Sequence, residues 1–176
     1  ASDWSSDVCS SDLDRRKQNH WPLVALVGYT NAGKSTLFRA LSREDTLVSS
    51  RLFSTLDTLI RRIQLGGRRT ILISDTVGFI RKLPHQLVSA FRATLEEVVQ
   101  ADLILHVIDR SDSEWRNKQQ VVNGVLEEIG AGNHPCLTVF NKMDCVDDQY
   151  FREKSNASYI SAATGAGLRS EEHTSE

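Results

Sequence analysis

Apolar residues in this chain come in short unbroken runs, separated by longer polar or amphipathic stretches. LVALVG at 23–28, LILHVID at 103–109 and CLTVFN at 136–141 are continuous enough to be strands buried on both faces, as in a parallel sheet. LIRRIQL and RTILISD flank Gly66-Gly67, which predicts two strands joined by a hairpin turn. SYIS at 158–161 reads as a last short strand. Between these runs the period changes. KSTLFRAL opens a helix near Lys34, and Pro84 suits the first turn of a helix over HQLVSAFRATLEEVVQA. Residues 113–129 put Val121, Val122, Val125, Leu126 and Ile129 on one helical face. Residues 42–57 and 76–83 lack a period and read as loops, and 147–154 as a short helix. Strands alternating with helices predict an α/β fold: three layers around a six-stranded, mostly parallel sheet with one antiparallel edge strand.

The loop after the first strand carries the clearest chemistry. GYTNAGKST (Gly28, Tyr29, Thr30, Asn31, Ala32, Gly33, Lys34, Ser35, Thr36) fits G-x-x-x-x-G-K-[ST] and lies between a buried strand and a helix. Gly28 and Gly33 let the main chain wrap a phosphate without a Cβ clash, and successive N–H groups then face the anion. Lys34 can reach the β- and γ-phosphates, and the Ser35 hydroxyl can bind Mg²⁺. DTVG follows at the end of RTILISD, where Asp75 can hold Mg²⁺ and the Gly78 amide can bond the γ-phosphate. NKMD closes CLTVF. Asp144 can accept both the ring N–H and the exocyclic amine of guanine, a pair of donors adenine lacks. Asn141 would tie this turn to the phosphate loop, and the Lys142 stem would cover the base. Ser161 and Ala162 can supply a backbone N–H to the guanine oxygen. In LFSTLDT, Phe53 is a candidate nucleotide contact and Thr55 a candidate to close on Mg²⁺ and the γ-phosphate, with Thr46 and Thr58 as competitors.

Composition adjusts this picture at the ends. RSEEHTSE (169–176) is the translation of AGATCGGAAGAGCACACGTCTGAA, and SDVCSSDL (6–13) is a translation of its reverse complement. Two unrelated protein ends have no reason to be complementary, so residues 1–13 and 169–176 are expected to be non-native, derived from a sequencing adaptor. The whole chain has 21 basic and 23 acidic residues, a net −2. Setting aside those ends removes one basic residue and six acidic ones, which leaves +3. That balance is compatible with an RNA partner and too weak to argue one. No apolar run approaches transmembrane length and no signal peptide is apparent. Cys9, Cys136 and Cys145 show neither metal nor disulfide spacing, which suits a reducing, cytoplasmic location. Cys136, in an apolar strand, reads as core filler. His85 and His106 have no carboxylate or cysteine at metal-ligand spacing.

GYTNAGKSTLF, LFSTLDT, DTVGFIRKLPHQLVSAFRATLEEV and NKMD together resemble the HflX-type GTPases, relatives of the Obg group, nearly throughout Leu23 to Asp109. The resemblance implies the G-domain version of the P-loop fold, with GTP as substrate, GDP as product and Mg²⁺ as cofactor. It implies a partner, the large (50S) ribosomal subunit, and ribosome splitting or rescue under stress. It also implies some ATP use, which NKMD does not predict. A monomer is expected. Family members carry a helical arm before the GTPase domain, so 14–22 reads as its remnant or as a solvated basic run. The GTPase domain is expected over 23–168, lacking its final helix and leaving an apolar strip on one sheet face exposed.

Mechanistically, Phe79 stands where many GTPases place a water-orienting glutamine. Hydrolysis must then lean on another group, and the resemblance implies Asn31 as a candidate K⁺ ligand beside the phosphates, with a loop-shaping role as the alternative. Lys34, Thr55, Gly78 and Asn31 are the catalytic candidates; Ser35, Thr55 and Asp75 are the Mg²⁺ candidates. Three readings follow: a ribosome-stimulated GTPase, a nucleotide-gated binding module with negligible hydrolysis, or an inactive truncated fragment. Arg61, Arg62, Arg68 and Arg69 either touch RNA phosphates or guard a sheet edge. Phe38, Phe91 and Trp115 read as packing residues.

Overall fold

The computed structural model describes residues 21–42, 59–65, 69–76, 95–146 and 157–168. Within them lie β1 (Leu23–Val27), α1 (Lys34–Ser42), β2 (Leu59–Leu65), β3 (Arg69–Asp75), β4 (Leu103–Asp109), α2 (Trp115–Glu128), β5 (Cys136–Asn141) and β6 (Ala157–Tyr159). Residues 95–99 are also helical. The strands form one six-stranded sheet in the order β2-β3-β1-β4-β5-β6. β2 pairs antiparallel with β3 at one edge, and every other pairing is parallel. This is the architecture read from the alternating pattern.

The central strands are apolar on both sides because both sides are covered. Leu23, Ala25 and Val27 of β1 join Ile104, Val122 and Leu126 in one core beneath α2. Leu26 joins Ile73, Val107, Val139, Leu37 and Phe38 in a second core beneath α1. A smaller cluster joins Ile108, Trp115 and Phe140, with the Trp115 and Phe140 rings edge to face at 5.2 Å. Full burial of one such Leu or Phe contributes about 1.5–3 kcal/mol, so these two layers supply most of the fold's driving force. The Asp102 side chain accepts the Leu23 N–H at 2.7 Å, fastening the start of β1.

Several expectations need adjustment. The expected apolar strip is muted: Leu105 and Leu137 are half-buried against the second core, while the large exposed apolar residues among those described are Leu65 and Val99. Cys136 is exposed rather than core filler, because it is the first residue of β5, at the strand's entrance. α2 begins at Trp115 rather than at 113, since the Asp112 carboxylate holds the Glu114 N–H in a turn at 2.8 Å. The last strand spans 157–159, because the Ser161 N–H turns to the Ala166 carbonyl. The Gly66-Gly67 turn, Arg68, Phe91 and the elements read at 85–94 and 147–154 lie outside the described residues.

Edge strand β2 carries Arg61 and exposed Arg62, the latter stacked over the Trp21 ring at 5.5 Å. Charged groups on an unpaired edge oppose strand addition, which favours the edge-guarding reading of these arginines.

Candidate functional site

The parallel strands β1, β3, β4 and β5 end on the same side of the sheet, and the candidate residues lie in the turns that leave them. The phosphate-loop segment starts as β1 ends. Gly28 has φ +155°, and a Cβ there would collide with the Val107 carbonyl oxygen of β4. Asn31 is left-handed at φ +64°, and Gly33 sits at φ +94°. A Cβ on Gly33 would occupy the place of the Asn141 side-chain amide. The loop is thus pressed between two strands, and glycine is the residue that fits at both ends.

Lys34 opens α1 and is only 6% exposed. Its Nζ donates to the Gly28 and Tyr29 carbonyls, each at 3.1 Å, so the ammonium lies inside the ring of the loop. Burial lowers its pKa to about 8, partly offset by the charge of Asp75. Asp75, at the end of β3, is 3% exposed. Burial raises its pKa, opposed by a hydrogen bond from the Ser35 hydroxyl and by the Lys34 charge. Its Oδ1 is buried and has no hydrogen-bond partner among the described residues. Next to it, Thr76 donates to the Leu26 carbonyl at 2.5 Å.

This donor set fits Mg²⁺. An orphaned carboxylate oxygen and a serine hydroxyl lie together, and no group of three or more His, Cys, Asp or Glu side chains is arranged to hold a metal ion among the described residues. Mg²⁺ takes one or two protein oxygens and fills its octahedron with phosphate and water, whereas a site for zinc requires a larger protein cage.

The second half of the site is built from β5 and the loop after β6. Asn141 is 2% exposed. Its Nδ2 donates to the Ala32 carbonyl at 3.0 Å, and its Oδ1 accepts the Ala162 N–H at 2.9 Å. One side chain therefore joins three loops that are far apart in sequence. The Ala162 and Ser161 N–H groups both serve the loops in this arrangement, the second bonding Ala166 at 2.9 Å. Lys142 is left-handed at φ +62° and turns the chain into the short 3₁₀ helix Met143–Cys145. Asp144 lies in that helix, and a hydrogen bond from the Ser161 hydroxyl, then one from Cys145, holds its carboxyl below the usual carboxylate range. Asp144 is thus ionised at neutral pH and beside Ser161, as a purine-reading acceptor requires.

Sequence reasoning missed three features. Asp109, the last residue of β4, accepts the Lys142 ammonium at 2.6 Å. Lys118 of α2 pairs with Asp112 and stacks over Tyr29 of the phosphate loop at 5.2 Å. His106 is 2% exposed within β4 and lines a depression together with Tyr29, Thr30, Asn31 and Ala32. Asp112 and Lys118 are near in sequence, but nothing local marks the Asp109–Lys142 pair, the approach of Lys118 to Tyr29 or the place of His106, since these depend on which strands lie side by side. The structure brings Gly28 to Thr36, Asp75, Asn141, Lys142, Asp144, Ser161 and Ala162 to one side of the sheet. Thr46, Phe53, Thr55, Thr58, Gly78, Phe79 and His85 lie outside the described residues.

Comparison with known proteins agrees with this geometry. The profile of the 50S ribosome-binding GTPase family matches residues 23–142. GTPase HflX of Magnetococcus marinus is 51% identical over 162 residues, covering 89% of this chain and 38% of the relative. GTPase HflX of Escherichia coli is 48% identical over 153 residues, covering 84% and 36%. The chain thus spans well under half the length of these relatives. Among solved structures, a GTP-binding protein from Sulfolobus solfataricus in complex with GDP superposes with a TM-score of 0.64 at 31% identity, over 92% of this chain and 53% of that one.

Proposed function

The chain belongs to the 50S ribosome-binding GTPase family, as a GTPase domain of the HflX type, and from that premise we propose that it binds GTP with Mg²⁺ and hydrolyses it slowly, as the nucleotide-dependent part of a protein acting on the large ribosomal subunit. The observation that carries this reading is Asn141, whose amide links the phosphate loop to the loop after β6 and so sets both ends of one nucleotide cradle. In it, the N–H groups of 29–36 hold the phosphates, and the Lys34 ammonium moves from loop carbonyls to phosphate oxygens. Ser35 and Asp75 would hold Mg²⁺, which when bound would supply positive charge against the phosphates. Asp144 reads guanine while Lys142 covers its face. Thr55 and Gly78 close on the γ-phosphate, and Phe53 flanks the nucleotide. Ribosome splitting or rescue under stress, a cytoplasmic location and a monomeric state belong to the same proposal; among the described residues no helix is long and apolar enough to cross a membrane.

The test is single-turnover GTP hydrolysis with and without large ribosomal subunits. The expected unassisted rate is about 10⁻⁴–10⁻³ s⁻¹, as for a switch GTPase lacking its partner, with clear acceleration on the subunit. Equal rates would leave a nucleotide-gated binding module, and absence of mant-GDP binding would remove both readings.

The cation at the phosphates gives a second test. Asn31 is exposed and left-handed, at the mouth of the loop. With Asn31 as a K⁺ ligand, turnover in K⁺ is expected to exceed turnover in Na⁺ by about tenfold or more; equal turnover assigns Asn31 to loop shape alone.

Lys34 gives a third. Its folded pKa lies below its unfolded value, so the buried charge opposes folding below about pH 8 and that opposition fades as pH rises from there to about 10.5. Phosphate favours the charged form, so binding above pH 8 must take up a proton. GDP affinity is therefore expected to fall about tenfold between pH 7 and pH 9. Isothermal titration in two buffers of different ionisation enthalpy would detect the proton; binding at pH 9 without proton uptake contradicts this account of Lys34.

A further inference from the structure

We propose that Asp109 is a positioning residue for Lys142, ordering that side chain before the nucleotide arrives and thereby slowing nucleotide release; this rests on the guanine-nucleotide reading above. Asp109 and Asn141 are opposite each other in the β4–β5 register, at the C-terminal ends of their strands. Two contacts cross between the turns that follow. The Arg110 N–H donates to the Asn141 carbonyl at 3.0 Å, and the Lys142 ammonium reaches Asp109 Oδ2 at 2.6 Å.

The carboxylate is itself aimed. Its other oxygen, Oδ1, accepts the Ser111 N–H at 3.0 Å and the Ser111 hydroxyl at 2.6 Å. Ser111 therefore fixes the carboxylate plane, and Oδ2 is left facing Lys142. Both partners are partly shielded, at 30% side-chain exposure for Lys142 and 16% for Asp109. The left-handed backbone at Lys142 sends the side chain back over the end of β4 rather than out along the chain. Asp109 also lines the same depression as phosphate-loop residues Tyr29 to Ala32, so the Lys142 ammonium is held at a carboxylate that borders the phosphate-loop side of the site.

A lysine stem is among the costliest side chains to order on binding. Held at its far end, it becomes a pre-set wall for the purine, and the ordering cost is met in folding instead of in binding. The competing account is an ion pair that joins two strand ends and affects stability alone.

Stopped-flow release of mant-GDP from the full chain separates the two, using Asp109→Asn, Asp109→Glu, Lys142→Ala and the Asp109→Asn/Lys142→Ala double variant, with thermal melts to confirm folding. Release is expected to quicken about three- to tenfold in Asp109→Asn and to be largely restored in Asp109→Glu. In the Lys142→Ala background, Asp109→Asn is expected to add nothing. Unchanged release in Asp109→Asn overturns the proposal, as does an equal acceleration with and without Lys142. Failure of the wild-type chain to bind mant-GDP would instead remove the guanine reading itself, and this inference with it.

Discussion

Asp144→Asn is expected to weaken GTP binding by at least about a hundredfold and to create affinity for xanthosine triphosphate. The carboxylate offers only acceptors, which suits the two N–H donors on guanine. An amide in the same place offers one acceptor and donors, which suits a base that carries a carbonyl where guanine has its amine. The Ser161 hydroxyl bond that keeps Asp144 ionised also fixes its direction, so the exchange alters chemistry with little change in geometry. Competition of GTP and xanthosine triphosphate against mant-GDP measures it. Unchanged GTP affinity in the variant would remove Asp144 from base recognition.

Gly33→Ala should be nearly as damaging, through a different route. The residue holds φ +94°, where a side chain costs about 1–2 kcal/mol. Its Cβ would also stand where the Asn141 amide is. Asn141 must then give up its bonds to Ala32 and Ala162, each worth about 1 kcal/mol. Together these amount to about 3 kcal/mol, or roughly a hundredfold in mant-GDP affinity. Gly124→Ala is the matched control: it lies within α2 with open space around its Cβ, and a gain of about 0.5–1 kcal/mol in stability is expected there. If both variants bind mant-GDP alike, the squeeze at Gly33 is not what shapes the loop.

Much of this is legible in the amino-acid sequence. β1, β4 and β5 could be read because strands covered on both faces leave almost no polar position to confuse the pattern. The β2–β3 hairpin was legible because Gly66-Gly67 sits between two matched strands. The phosphate loop and the NKMD turn were legible because their residue types are dictated by ligand chemistry. Lateral neighbours were not. That β1 lies between β3 and β4, and that β4 therefore delivers Asp109 to Lys142, follows from sheet order, which no local period encodes. Cys136 misled for a related reason: it belongs to an apolar run, but a strand's first residue can lie beyond the reach of the covering helices. His106 shows the converse, a titratable side chain carried into the interior by the strand around it.

The amide of Asn141 has a consequence for how the molecule breathes. Because one side chain bridges Ala32 and Ala162, a swing of either loop costs a hydrogen bond to Asn141 and frees the amide that orders the other. Deuterium uptake at the Ala162 main-chain amide is therefore expected to rise and fall together with uptake across 29–34, and occupying the phosphate end alone, with pyrophosphate, should slow exchange at the purine end as well.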